Sequence, residues 1–412
     1  MNPRHYRIKA GLTILLQLLR IPLVVILAPD VDALNGYFIV IAASIPFQFV
    51  ASEFLLFRPL SLPHARLPEA VCAGIALFSI LSFQSSGHAS SDVFLYLAFA
   101  IGVMFNAIGL RRLRSRHGAS VQIGYELASA LVLTVGVILM AALLHTKRLS
   151  SGLLMLQAAV GLGVWLLSLG AAPGREDSSA QQPQESKLDR SFVYILMLMG
   201  STYVERLYLG WVSPALLGSI SLAGATTQVW RRLTLDDALL FEALRNSKAP
   251  VEVVIQARHA YRHRAHWPVA LLSCACLAIS LARDALISLM PMISPAKFLL
   301  FAHALALTNI YLASLPAAIP ALNAIRSRTH QPSNALLLII ASSIAIAMGL
   351  LKLPLKPTHA MMAGYLLICF NASLGLASAV DQKVPGTNRS LAIDTLIFLT
   401  SCAISLSLLR LH

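Results

Sequence analysis

The sequence predicts an all-α polytopic membrane protein, and three observations lead to this fold class. Of the 412 residues, 57% are hydrophobic and only 12% are charged, whereas soluble domains contain roughly 45–50% apolar and about 25% charged residues. The apolar residues form blocks of about twenty, the length that a helix needs to cross a hydrocarbon core of about 30 Å. No block shows the alternating pattern of a barrel strand. We therefore expect a bundle of transmembrane helices and exclude a soluble globular domain.

Apolar blocks bounded by charged or Pro-, Gly- and Ser-rich breaks give about thirteen candidate spans, with about twelve as the alternative. The first seven are 10–28, 37–57, 67–83, 93–110, 119–143, 152–171 and 192–212. The other six are 215–233, 267–290, 297–323, 334–352, 359–379 and 390–411. The loops that this arrangement places on the outer face are all short.

The basic residues are distributed unevenly between the two sides. The chain has 32 Lys and Arg against 18 Asp and Glu, a formal net charge of +14. With the N-terminus in the cytoplasm, most of these cations fall in cytoplasmic loops, as the positive-inside rule requires. The positive-inside distribution explains the net positive charge of the chain, so no nucleic-acid partner is needed to account for it. No small-residue cleavage motif follows the first apolar run, so we expect a retained helix in a bacterial inner membrane.

Two hydrophilic stretches interrupt the spans on the predicted cytoplasmic side. Residues 173–191 are rich in Gln, Ser and Pro and predict a flexible linker. Residues 236–266 form a basic connector, and the part after Pro250 is typical of a helix at the lipid head groups. Its arginines either obey the positive-inside rule as a solvated surface or contact the anionic head of a lipid-linked substrate. These arginines are Arg258, Arg262 and Arg264.

The sequence carries no recognisable motif for catalysis, a cofactor or a metal ion. It has no Walker-type glycine loop, no His-Glu-x-x-His and no Cys-x-x-Cys. Asp30 and Asp32 in the first outer loop offer two carboxylates for a metal and diphosphate, but no long loop completes such a site, and a polar turn is the favoured interpretation. We therefore predict a protein that is not an enzyme and binds no cofactor or metal.

Several charged residues lie within the spans, where each costs at least about 2.5–3.5 kcal/mol. Each needs a partner, a water-filled cavity or a function. Arg20 is about 15 Å into the first span, close to the bilayer midplane. The others are Glu53, Glu126, Glu205, Arg206, Arg283, Asp284 and Asp394.

Two adjacent charge pairs reach similar depths in different spans. Neighbouring residues on a helix point about 100° apart and cannot satisfy one another. We therefore expect cross-helix pairing of Glu205 with Arg283, or of Arg206 with Asp284, along a polar cavity. A buried ion pair that only fixes helix packing is the alternative.

Amides and prolines within the spans give a weaker signal. Amides such as Asn371 predict interhelical hydrogen bonds. Pro316 and Pro320 could break the tenth span into segments, as in the broken helices of transporters, or simply kink it.

Residues 203–224 read YVERLYLGWVSPALLGSISLAG and contain an acidic-Arg pair, a Leu-Gly, a short turn and a Gly that opens the next helix. This pattern resembles the polysaccharide-exporter and lipid-linked-oligosaccharide flippase families of the multidrug/oligosaccharidyl-lipid/polysaccharide exporter superfamily. A similar hairpin follows Arg20, where Gly36 and Tyr37 open the second span. The hairpins lie six spans apart and so share one orientation, as parallel repeats require. The residues that carry the main resemblance are Glu205, Arg206, Leu209, Gly210 and Gly218.

The resemblance implies an alternating-access transporter with two six-helix lobes around a central cavity. The lobes would be residues 1–172 and 192–380, with an additional helix in 381–412. The substrate would be a polyprenyl-diphosphate-linked oligosaccharide, moved to the periplasmic leaflet for surface polysaccharide assembly. Membrane lipids and polysaccharide assembly proteins would be its partners.

The resemblance and the buried charges together assign roles to the charged residues. Cationic side chains would bind the diphosphate or acidic sugars, and acidic ones would line the cavity or carry a coupling proton. The substrate-binding set is Arg20, Arg206 and Arg283, and the coupling or cavity set is Glu205, Asp284, Glu126 and Glu53. A small-molecule or drug antiporter of the same architecture, and a membrane glycan transferase or polymerase, are the alternatives.

Overall fold

The computed structural model describes most of the chain, and the account below covers only those residues. They are residues 3–28, 34, 37–38, 41, 93–117, 119–143, 149–170, 190–234, 240, 243–244, 247–289, 293–384 and 387–408. The third predicted span, most of the second and most of the linker lie outside them. Glu53, Asp30 and Asp32 also lie outside them.

The described part of the chain is built from helices and contains no strand. The helices of the first half are α1 (Pro3–Leu27), α2 (Val93–His117), α3 (Ala119–Leu143) and α4 (Leu149–Gly170). Those of the second half are α5 (Arg190–Val212), α6 (Pro214–Thr234), α7 (Pro250–Leu289), α8 (Pro295–Arg326), α9 (Asn334–Leu350), α10 (Pro357–Asp381) and α11 (Asn388–Ser407).

The predicted fold class is confirmed: the protein is an all-α polytopic membrane protein. Among the described residues, six helices are long and apolar enough to cross a membrane, namely α3, α4, α7, α8, α10 and α11. Shorter apolar stretches of 10–17 residues lie in α1, α2, α6 and α9. Leucines and isoleucines are exposed along many of these helices, as expected where lipid replaces water as the solvent.

The chain divides into two compact units, Met1–Lys187 and Leu188–His412, and the division falls within the predicted linker. In the first unit, α2 packs along α4, α1 packs along α3, and α3 also contacts α2 and α4. The backbones of α2 and α4 touch at glycines: a Cβ added at Gly102 would lie 2.5 Å from Ala158 Cα. Small residues allow the two backbones to approach closely. In lipid, where the hydrophobic effect does not drive helices together, van der Waals packing at such close contacts stabilises their association.

Helix α8 forms the centre of the second unit. It contacts α5, α6, α7, α10 and α11, and most of its side chains are buried. The helix runs from Pro295 to Arg326 through Pro316 and Pro320, both of which are buried. The break considered for these prolines does not occur, because neighbouring helices enclose this segment on most sides and hold it in helical conformation.

Helix α7 differs from its prediction, because the part of the basic connector from Pro250 onwards and the ninth span form one helix of 40 residues. It begins at Pro250, where a proline without a backbone N–H is tolerated, and its only departure from helical angles is at Ala282 (φ −124°, ψ 29°). At about 1.5 Å per residue, it is about 60 Å long and exceeds the hydrocarbon core. Part of α7 therefore extends beyond the hydrocarbon.

Candidate functional site

Glu205 lies in the middle of the second unit, on α5, with only 2% of its surface exposed. The Asn371 side chain on α10 donates a hydrogen bond from Nδ2 to Glu205 Oε2 at 2.5 Å. A carboxyl group at this depth is costly unless it is neutralised or hydrogen-bonded. The partner here is a neutral amide, so the contact satisfies one oxygen and adds no charge.

Two serines extend this contact into a network across three helices. Ser201 Oγ on α5 and Ser343 Oγ on α9 each donate to Asn371 Oδ1 at 2.6 Å, and the two hydroxyls lie 2.8 Å apart. Asn371 is therefore the centre, since its carbonyl accepts from the serines while its amino group donates to Glu205. We call these four residues the Glu205 network. It holds α5, α9 and α10 together with polar bonds in an apolar surrounding.

Arg206 makes no hydrogen bond to this network, although it lies close enough to Glu205 to interact electrostatically. Its side chain is directed towards α6, where a Cβ added at Gly224 would lie 3.9 Å from Arg206 Nη2. Two of its nitrogens, Nε and Nη1, are buried and have no hydrogen-bond partner among the described residues. Arg206 therefore keeps donor capacity for a group that the described residues do not supply.

The cross-helix pairs predicted from the sequence do not form among the described residues. Glu205 contacts Asn371 instead of Arg283, and Asp284 is exposed while Arg206 is directed towards α6. Arg283 is half-buried and directly follows the irregular residue Ala282 of α7. Equal depth in two spans did not place these side chains on facing surfaces, because depth says nothing about helix rotation.

In the first unit, Arg20 and Glu126 lie in separate surroundings. Arg20 on α1 is half-buried, and its Nε is enclosed without a hydrogen-bond partner in the described part of the unit. It lies close enough to Tyr37 to interact electrostatically, and Tyr37 Oη accepts a hydrogen bond of 3.0 Å from Gln157 on α4. Glu126 on α3 is half-buried and accepts from Gln122 of the same helix at 2.7 Å.

The three arginines predicted for head-group contact have different surroundings. Arg264 is exposed, whereas Arg258 is only 3% exposed. Arg262 forms an ion pair of 2.8 Å with Asp394 on α11, whose side chain is 1% exposed. Asp394 is thus enclosed where α11 packs against α7.

Sequence reasoning missed several polar residues of the second unit. Ser201 and Ser343 are too common in membrane helices to stand out individually. His303 on α8 is buried and bonds the Tyr365 hydroxyl on α10. Because His303 is an ionisable residue within a predicted span, the sequence alone could have identified it as a candidate. Within the described residues, no group of three or more His, Cys, Asp or Glu side chains is arranged to hold a metal ion.

Comparisons of this chain with known proteins match no family model, no curated protein and no solved structure. The helices define the class, an all-α polytopic membrane protein. The flippase resemblance of residues 203–224 stays a prediction from the sequence.

Proposed function

We propose that this protein is a transporter that moves a polyprenyl-diphosphate-linked oligosaccharide from the cytoplasmic to the periplasmic leaflet of a bacterial inner membrane. The observation that carries the proposal is the difference in hydrogen bonding between Glu205 and Arg206. The carboxyl group is held by Asn371, while two buried nitrogens of the neighbouring guanidinium have no partner in the described residues. Ionisable groups at such depth are typical of substrate and ion pathways.

In this proposal, the cationic side chains bind the cargo. A guanidinium forms two parallel bonds to phosphate oxygens and stays charged at all physiological pH values. Arg206 and Arg20 both have enclosed nitrogens without partners among the described residues, and we assign each of them, as well as Arg283, to cargo binding. The acidic residues Glu205 and Asp284, with Glu126 and Glu53, are the proposed coupling or cavity residues.

Replacing Arg206 by Gln should lower the initial rate of transport by about tenfold or more, since one charge-assisted contact to the diphosphate is lost. The assay uses proteoliposomes that contain a fluorescent polyprenyl-diphosphate oligosaccharide and follows its accessibility to a membrane-impermeant glycosidase. Arg190→Gln is the matched control, because Arg190 is an exposed arginine at the start of the same helix.

An unchanged rate for Arg206→Gln would exclude Arg206 from cargo binding. If the wild-type protein moves no lipid-linked glycan, the flippase proposal is wrong. Lengthened glycan products would favour the polymerase alternative, and efflux of small cationic dyes would favour the antiporter.

Replacing Glu205 by Gln should remove the dependence of transport on a proton gradient and leave the fold intact. The Gln carbonyl can still accept the bond from Asn371 Nδ2, but it cannot take up a proton. The measurement compares transport rates with and without an imposed pH gradient, next to the unfolding temperature of each variant. Glu252→Gln, an exposed substitution in the first turn of α7, is the control. If the pH gradient still accelerates transport by the Glu205→Gln variant, a residue other than Glu205 carries the coupling proton.

A further inference from the structure

Four charged or polar side chains meet where the first half of α7 packs against α11. Arg258, Arg262 and His266 are spaced by four residues and so lie along one face of α7. Arg262 Nε donates to Asp394 Oδ1 at 2.8 Å, and His266 Nε2 lies 3.7 Å from the same oxygen. We call these four residues the Arg258 cluster.

The Arg258 cluster contains an unusual number of buried polar atoms without partners. All three guanidinium nitrogens of Arg258, together with His266 Nε2 and Asp394 Oδ2, make no hydrogen bond within the described structure. Each such atom costs about 1–3 kcal/mol when left unsatisfied. Four of the five atoms are nitrogens, and Asp394 Oδ2 can accept from only some of them. The missing partner must therefore supply mainly acceptor oxygens.

The charges of the cluster identify the partner further. Arg258 and Arg262 are both cationic, and Asp394 is the one acidic side chain in the cluster, so one positive charge is uncompensated when His266 is neutral. Burying such a charge costs several kcal/mol. Water would supply acceptors but no charge. A phosphodiester supplies one negative charge and two non-bridging oxygens, which matches both requirements and suits the fork of an arginine.

The position of the cluster fits the head-group region of a membrane. Asp394 lies about 9 Å along α11 from its first residue, Asn388, and α7 extends beyond the hydrocarbon. The Arg262 and His266 side chains are 20% and 37% exposed, so the cluster has an accessible edge next to the buried Arg258. Trp267 follows directly and is 76% exposed, and tryptophans concentrate at the membrane–water interface.

We propose that the Arg258 cluster binds the phosphate of an anionic phospholipid head group. In this site Arg258 donates to the phosphate, Arg262 adds a second cation, and Asp394 positions Arg262 through their ion pair. The bound phosphate brings the net charge of the cluster to zero. The site does not depend on the proposed transport activity, because it concerns a resident lipid and not the cargo.

Native mass spectrometry of the full chain, released from detergent, tests this site. Titration with phosphatidylglycerol should give a saturable adduct, and titration with diacylglycerol, which lacks phosphate, should not. Arg258→Gln should weaken the adduct by about tenfold, or about 1.4 kcal/mol. Lys248→Gln, which removes an exposed cation just before α7, should leave it unchanged. Displacement of the lipid adduct by millimolar inorganic phosphate would identify free phosphate as the ligand and overturn the lipid assignment.

A second variant distinguishes a lipid site from the alternative in which Arg258 only forms an internal ion pair with Asp394. Asp394→Asn removes the negative charge that competes with the phosphate, so phosphatidylglycerol should bind more tightly than to the wild type. An internal pair with no ligand predicts no gain in affinity from the same substitution. Unchanged phosphatidylglycerol affinity in both Arg258→Gln and Asp394→Asn would show that the proposal is wrong.

Discussion

Replacing Asn371 by Leu should lower the free energy of unfolding by about 3 kcal/mol. Three side chains lose their bond to the Asn371 amide at once, namely Ser201, Ser343 and Glu205. The two serines can still bond each other, whereas Glu205 loses its donor. Each interhelical bond contributes about 1 kcal/mol in membrane proteins, and a buried carboxyl group left without a donor costs more than a hydroxyl. The change is measurable as reversible unfolding in mixed micelles, with helix content as the signal.

The matched control is Asn323→Leu on α8. Asn323 is also buried, at 2% exposure, but its Nδ2 donates within its own helix to Ile319 O at 3.0 Å. This substitution removes one local bond and should cost about 1 kcal/mol. Equal losses for the two variants would mean that the Glu205 network contributes nothing beyond an ordinary buried amide.

Replacing Gly161 by Ala should destabilise the first unit by about 1–3 kcal/mol, although alanine is the better helix former by up to about 1 kcal/mol. A Cβ at this position would overlap the carbonyl group of Gly102 across the α2–α4 contact. The obstacle is backbone, so no side-chain rotation relieves it, and the two helices would have to separate. The unfolding of the purified full chain in mixed micelles measures the effect.

Gly163→Ala provides the control two residues further along α4. An added Cβ there has no atom within 4 Å, so the variant should be as stable as the wild type or slightly more stable. A neutral result for Gly161→Ala would contradict the close approach of α2 and α4. The opposite signs expected for two glycines of one helix make the comparison independent of helix propensity.

The Glu205 network shows which features of the candidate site could be predicted from the sequence and which could not. A charged pair within an apolar span was evident, and Asn371 was recognised as an interhelical amide. Their contact was not predictable, because it depends on the rotation of α5 against α10, and the expected partner Arg283 lies on α7. The serines of the network became distinguishable only from the distances to Asn371.

Helix α7 shows a related limit for the fold. Its apolar second half was predicted as a span and its basic first half as a separate interfacial helix, whereas in the structure the helix continues from Pro250 through both parts as far as the kink at Ala282. Composition changes along this segment, but a backbone can remain helical through such a change when nothing breaks its hydrogen bonds. Pro268 lies within the helix and does not end it.

Hydrophobic content and the lengths of the apolar blocks were sufficient to determine the fold class, because a backbone in lipid must satisfy its hydrogen bonds internally and helices are the solution that such blocks allow. The partners of the buried charges were decided only by tertiary structure. Which face of a helix meets which neighbour depends on close side-chain packing, and in the second unit that packing places Arg262 beside Asp394 and Glu205 beside Asn371.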